Sequence, residues 1–262
     1  MKNKTTKKIT CLIFSALIFL SGCKQDSSVI SPVTKIYNSG SAGNYSITDE
    51  HLIIVRNFIG SVLVIGEGTV NPAVRWFIYK TVEAETDEQA DSYFTLINPS
   101  FEKRNDTVIA TLNVPGGLPL RGMLELDIPY NMRCRVEYSL ENTYVFDLDS
   151  SLYIQSRSNV EVMRHNGSCE ISCNQGNVSV ETAIPFEGYC RVTVQTGHIL
   201  ISIPTNTSVE VYAKSNNGSV SQTGLTFTNI QQDENSISGT LGSGAGEIRA
   251  VTGSGNIELK GF

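Results

Sequence analysis

Ser158-Asn159-Val160-Glu161-Val162-Met163-Arg164-His165-Asn166-Gly167-Ser168-Cys169-Glu170-Ile171-Ser172-Cys173-Asn174-Gln175-Gly176-Asn177-Val178-Ser179-Val180-Glu181 is the stretch whose reading decides the fold. It contains three units, residues 158–162, 167–171 and 176–180, each starting nine residues after the last. Every unit opens on a small turn residue and then alternates apolar and polar side chains. Successive side chains of a strand point to opposite faces, so each unit offers one buried stripe and one solvated stripe.

Working outward, the same unit recurs as Gly60-Ser61-Val62-Leu63-Val64, Gly197-His198-Ile199-Leu200-Ile201, Gly218-Ser219-Val220-Ser221-Gln222, Gly246-Glu247-Ile248-Arg249-Ala250 and Gly255-Asn256-Ile257-Glu258-Leu259. The position two residues after the turn residue is always apolar: Val62, Val160, Cys169, Val178, Ile199, Val220, Ile248 and Ile257. The next position is mostly polar. Glycine and asparagine supply the backbone geometry that corners need. Short units that cannot bury their apolar face alone stack into a solenoid. The expected fold is therefore all-β, a right-handed parallel β-solenoid or β-helix of irregular rungs.

One helix interrupts this pattern. Thr86-Asp87-Glu88-Gln89 is a capping box, and Ala90, Tyr93, Phe94 and Ile97 follow at helical spacing before Pro99. A short capping helix near residues 87–98 is expected to cover the amino-terminal end of the stack. Strands are expected at residues 52–55, 62–65, 74–82, 107–114, 123–128, 133–138 and 144–148. The longer strand at 74–82 places Trp76, Ile78 and Lys80 on one face and Phe77 and Tyr79 on the other. Residues 70–150 show no clear repeat; they read either as irregular rungs or as a sheet subdomain bearing the helix.

The chain begins with a targeting segment, residues 1–23. Lys2, Lys4, Lys7 and Lys8 precede an apolar run over residues 11–20. Leu20-Ser21-Gly22-Cys23 resembles a bacterial lipobox. The resemblance implies cleavage before Cys23 and acylation of that cysteine, and Lys24 after it leans toward the outer membrane. The other reading is an ordinary secretory signal with a chance cysteine. Two or more acyl chains give stable anchoring. Residues 24–45, rich in serine, glycine and asparagine without periodicity, read as a flexible tether. Residues 46–262 read as the solenoid domain.

Charge narrows the partners. The net charge is −6, and losing four lysines with the leader takes it to −10. Such a surface repels phosphate backbones, so no nucleic-acid partner is expected. The expected partners are a membrane, through the lipid anchor, and a protein or polysaccharide on the solenoid face.

The turn-plus-[Val/Ile] units, the closing Gly253-Ser254-Gly255-Asn256-Ile257-Glu258-Leu259-Lys260-Gly261 and the early Val55-Arg56-Asn57-Phe58-Ile59-Gly60 resemble the bacterial putative-adhesin domains of unknown function. Those are β-solenoids related to the head-GIN type. The resemblance spans roughly residues 50–262 and implies adhesion, with no catalytic motif to carry over.

Candidate chemistry is sparse. Cys134, Cys169, Cys173 and Cys190 remain after leader removal. They read as buried thiols packing like small hydrophobes, with a Cys173–Cys190 or Cys169–Cys190 bridge as the alternative. His165, Cys169 and Cys173 fall four residues apart, but Gly167 marks a corner between the first two. A solvated histidine beside buried thiols is expected there, with no metal and no cofactor. Glu161 and Glu170 hold the same outward position in successive units and are expected to stack, as a solvated ladder rather than a catalytic pair. No catalytic residue is assigned. The function expected is a non-enzymatic, envelope-anchored adhesin-like or scaffolding module. A periplasmic sensor or partner protein on the same fold and a carbohydrate-active β-helix enzyme are the alternatives.

Overall fold

The computed structural model describes residues 34–56, 60–68, 73–112 and 120–262. Residues 1–33, which include the expected targeting segment and Cys23, lie outside the described residues. The amino-terminal part runs β1 (Lys35–Ser46), β2 (Leu52–Arg56), β3 (Ser61–Glu67), β4 (Ala73–Ala84), α1 (Asp87–Leu96), β5 (Ser100–Arg104), β6 (Thr107–Thr111) and β7 (Leu120–Pro129). The regular rungs follow as β8 (Arg133–Ser139), β9 (Thr143–Phe146), β10 (Leu152–Ser156), β11 (Val160–Asn166), β12 (Cys169–Gln175), β13 (Val178–Ala183), β14 (Tyr189–Thr196) and β15 (Ile199–Ile203). The chain closes with β16 (Val209–Ser215), β17 (Val220–Thr223), β18 (Phe227–Gln232), β19 (Ser236–Leu241), β20 (Gly246–Ser254) and β21 (Ile257–Gly261).

These strands form two facing sheets. Sheet A has the order β1-β4-β7-β3-β9-β11-β13-β15-β21-β17, and sheet B the order β18-β19-β16-β20-β14-β12-β10-β8-β2-β6-β5. Through the middle the chain alternates between sheets and every pairing is parallel. One rung is thus two of the nine-residue units, one per sheet. Antiparallel strands close both ends: β1 and β4 in sheet A, β5 in sheet B, and the β18–β19 hairpin in sheet B. The solenoid expectation holds, including rung strands β6–β9 within the region without a clear repeat.

The rungs do not stack in chain order. The final rung, β20 with β21, lies between β14–β15 and β16–β17. At the other end β2 with β3 lies between β6–β7 and β8–β9. The carboxy-terminal strands of the described chain are therefore built into the stack, whereas β1 at its amino-terminal end forms the edge of sheet A.

The core is the space between the sheets. From sheet A, Val62, Val160, Val178, Ile199 and Ile257 enter it; from sheet B, Ile53, Cys134, Leu152, Cys169, Cys190 and Ile248. Cysteine fills sheet B positions where small apolar volume is wanted. All four described cysteines are free and buried. Gln222, which breaks the stripe opposite Leu259, leaves its Oε1 buried without a hydrogen-bond partner among the described residues.

Helix α1 begins as expected: Thr86 Oγ1 accepts from the Gln89 N–H at 3.1 Å. The Gln89 side chain reaches one residue further back than a capping box requires, accepting from the Glu85 N–H at 2.8 Å. The helix buries Ala90 against β4, and Ile97 just beyond it is fully buried. Lys80, buried on β4, donates to the Phe94 carbonyl at 3.1 Å and to Asn98 Oδ1 at 2.9 Å. A cation at the carbonyl end of a helix is favourable, and it ties the helix to the sheet.

One boundary changes. Residues 35–45, expected to be tether, lie in β1, which is paired along its whole length with β4. Its small residues, which give no apolar alternation, leave room for aromatic rings. A Cβ on Gly40 would lie 2.9 Å from Phe77, and one on Gly43 would lie 2.7 Å from Trp76.

Candidate functional site, an outer-face groove on sheet A

The glycine corners before β13, β15, β21 and β17 are the most regular feature of the molecule. At Gly197 φ is +145° and at Gly255 +136°, conformations that a side chain disfavours. A Cβ on Gly255 would lie 2.1 Å from the Gly197 carbonyl oxygen. Glycine lets these corners stack in direct contact.

The residue after each turn residue then forms a ladder along the stack. Asn159 Oδ1 accepts from the Asn177 N–H at 2.8 Å, and Asn177 Oδ1 from the His198 N–H at 2.9 Å. His198 Nδ1 accepts from the Asn256 N–H at 3.0 Å, and Asn256 Oδ1 from the Ser219 N–H at 3.1 Å. At the other end Asn159 Nδ2 donates to Asn142 Oδ1 at 3.3 Å, and Asn142 Nδ2 donates to the Tyr144 hydroxyl at 3.0 Å. Asn159, Asn177, His198 and Asn256 each satisfy a backbone N–H of the next rung.

Two residues further along each strand, outward side chains form a second row in register: Tyr144, Glu161, Ser179, Leu200 and Glu258. Between this row and the ladder lies a groove of about 540 Å³. Tyr144 and Leu200 give it apolar surface. Glu161, Ser179 and Glu258 give it acceptors. Among the described residues neither Glu161 nor Glu258 forms an ion pair.

Sheet B presents different chemistry. Its outer face stacks guanidinium groups on tyrosine rings: Arg135 on Tyr153 and Arg191 on Tyr189 at 4.5 Å, and Arg249 on Tyr212 at 5.0 Å. Arg191 also pairs with Glu247 at 2.5 Å, and Arg135 with Glu137 at 2.7 Å. These groups largely neutralise one another, whereas the sheet A groove keeps its carboxylates.

Two sequence expectations about side chains are corrected. Glu161 and Glu170 do not stack. Glu161 lies between Tyr144 and Ser179 in sheet A, and Glu170 between Tyr153 and Arg191 in sheet B. Nine residues is half a rung, and the corner at Gly167 sends the second carboxylate to the opposite face. His165 is not solvated; it is 2% exposed. Its Nε2 lies 2.8 Å from the Ser150 carbonyl and its Nδ1 2.9 Å from Thr182 Oγ1. The carbonyl can only accept, so Nε2 carries the proton and Nδ1 accepts from the hydroxyl. Burial lowers its pKa.

Cys169 and Cys173 lie on sheet B, across a corner from His165, and among the described residues no group of three metal-binding side chains converges. Burial pushes the Cys134 thiol up to about 12. Cys190 rises through its contact with the Cys169 thiol as well as through burial. Such thiols are poor nucleophiles at neutral pH. The ladder residues Asn142, Asn159, Asn177, His198 and Asn256 were legible as the position between turn and first buried residue, but only register shows them to be one row.

Two facing sheets of parallel rungs, bounded by antiparallel strands and cornered by stacked glycines, define a β-solenoid. Residues 145–260 match the family described as Toastrack DUF4097, a domain of unknown function, which bears out the adhesin-domain resemblance. The chain is also similar to a solved "putative cell adhesion protein" from Clostridium sporogenes, at 12% identity over 86% of this chain and 100% of that one, with a TM-score of 0.51. A "putative adhesin" from Bacteroides fragilis aligns at 10% identity over 88% and 99% of the two chains, with a TM-score of 0.27. A "putative lipid binding protein" from Parabacteroides distasonis aligns at 10% identity over 84% and 96%, with a TM-score of 0.33. The first supports the fold; the other two carry no structural argument. No curated protein matches the sequence. No helix among the described residues is long and apolar enough to cross a membrane.

Proposed function

We propose that the protein is a lipoprotein of the bacterial cell envelope that acts as a non-enzymatic adhesin-like or scaffolding module. The sheet A groove is its recognition surface. The spacing of the groove's carboxylates carries this reading. Glu161 and Glu258 are separated by Ser179 and Leu200, three strand steps in all. At about 4.8 Å per step they stand about 14 Å apart. A retaining glycosidase holds its carboxyls about 5–5.5 Å apart and an inverting one about 6.5–9.5 Å. The groove is built to hold rather than to cut. The name of the clostridial structural neighbour supports an adhesive role, and Leu20-Ser21-Gly22-Cys23 supports acylation at Cys23.

Metabolic labelling with an alkyne fatty acid tests the anchor. The parent chain labels and fractionates with membranes; Cys23→Ser loses the label and becomes soluble. Unchanged labelling and fractionation in that variant would overturn the anchor. Protease accessibility on intact cells then separates a surface adhesin from a periplasmic partner.

A further inference from the structure

We infer that the sheet A groove binds a linear, uncharged glycan chain running along the stack, across the strands. This deepens the reading of the protein as a binding module and rests on it. One wall of the groove is a row of donors. The ladder uses every corner acceptor: Asn177 Oδ1, His198 Nδ1 and Asn256 Oδ1 each receive a backbone N–H. A backbone N–H can only donate, so the amide orientation and the histidine tautomer both follow. What remains is the Nδ2 group of Asn177, the Nε2–H of His198 and the Nδ2 group of Asn256. All three residues are exposed, and these groups have no partner among the described residues.

The opposite wall supplies acceptors in the same register, with the carboxylates of Glu161 and Glu258 and the hydroxyl of Ser179. Tyr144 and Leu200 provide apolar surface along the same row. A sugar hydroxyl donates and accepts at once, and a pyranose ring offers C–H faces between its hydroxyl edges. A donor row, an acceptor row and an apolar strip in parallel match that chemistry. From Asn142 to Asn256 there are four strand steps, about 19 Å at about 4.8 Å each, so the groove suits a chain rather than a single sugar. Two unpaired carboxylates disfavour an anionic polymer. An extended peptide is the poorer match. Strand addition needs a free sheet edge, whereas this groove crosses strands already paired on both sides.

The test is calorimetric titration of the purified full chain with cellohexaose, chitohexaose, polygalacturonate and an unstructured decapeptide. At least one uncharged hexasaccharide is expected to bind, and the last two are not. Glu258→Ala should weaken binding about tenfold, the loss expected for a hydrogen bond to a charged group. Asn177→Asp keeps the Oδ1 that accepts from the His198 N–H and removes the donor, so it should weaken binding similarly. Thermal midpoints of both variants show whether the fold is retained, and Glu161→Gln offers an isosteric second variant if either is unstable. Failure of both hexasaccharides to bind would overturn the inference, as would binding indifferent to these substitutions or a preference for the polyanion or the peptide. Chromatography of the recovered sugar separates the two readings. Shortened products alongside groove-dependent binding would sink the non-enzymatic function and keep the site. Absent binding sinks the site and leaves the anchor test standing.

Discussion

Gly197 sits directly against Gly176 on the neighbouring rung, so close that a Cβ on Gly197 would lie 1.9 Å from the Gly176 carbonyl oxygen. Gly197 also holds φ at +145°. Gly197→Ala should therefore destabilise the protein by at least about 2 kcal/mol, combining backbone strain with overlap against main chain. Gly68→Ala, where a Cβ would meet nothing within 4 Å, should stay within about 0.5 kcal/mol. Urea midpoints of the two variants check this, and equal midpoints would refute the stacked-corner account.

The strand register gives a paired test. Val178 is 1% exposed and its neighbour Ser179 faces the groove. Val178→Asp buries a carboxylate without a partner and should cost several kcal/mol. Ser179→Asp adds a like charge beside Glu161 and should cost about 1 kcal/mol or less. Denaturation curves that ranked them the other way would mean that the strand is turned over.

His165 makes stability depend on pH. It is neutral and hydrogen-bonded in the folded protein, with its pKa lowered by burial, while the unfolded chain titrates near pH 6.5. Below that pH the unfolded state binds the additional proton, so stability should fall as pH drops through about 6.5. His165→Gln should flatten this limb. Urea midpoints at pH 7.5, 6.5 and 5.5 measure it, and an unchanged slope in the variant would remove His165 as the cause.

Glu50 acts in the same sense at lower pH, because its folded-state pKa is also lowered. Lys103 and the Thr48 N–H hold its carboxyl down at about 2, with contacts of 2.7 Å and 2.6 Å. Its contribution is complete above the ordinary glutamate range, near pH 4.3, and is lost as pH falls toward about 2. Glu50→Gln should lower the melting temperature at pH 7 and weaken its decline between pH 5 and pH 2. A parent-like acid limb in the variant would contradict this.

The inserted final rung predicts an unusual truncation response. In an ordinary solenoid, trimming a terminal repeat removes one nearest-neighbour interface and leaves the rest folded. Here residues 246–262 lie inside the stack. Their removal separates β14–β15 from β16–β17 and uncovers Val192, Ile201 and Val211, all buried in the intact fold. The truncated chain should lose cooperative melting of the carboxy-terminal rungs. A single, slightly lowered transition would show that the last rung is peripheral.

The local pattern alone determined much of this protein. Alternation around Val160, Val178 and Ile199 marks strands with one buried face, and the glycines before them mark corners. Both follow from φ/ψ sterics and side-chain polarity, which act over a few residues. Thr86 and Gln89 likewise announce the start of helix α1. What only the tertiary structure decided is which strand lies beside which. Nine-residue spacing cannot say that alternate units belong to opposite sheets, so Glu161 and Glu170 looked like neighbours and face apart. Nor can it say that β21 inserts between β15 and β17, which brings Glu258 and Asn256 into one groove with Glu161 and Asn177. His165 is polar by composition and buried by position, because Ser150 and Thr182, distant in the chain, supply its hydrogen bonds. Pairing between strands is set by burial of a shared core and by backbone bonds between remote segments. Those energies depend on contacts that no local stretch of sequence contains.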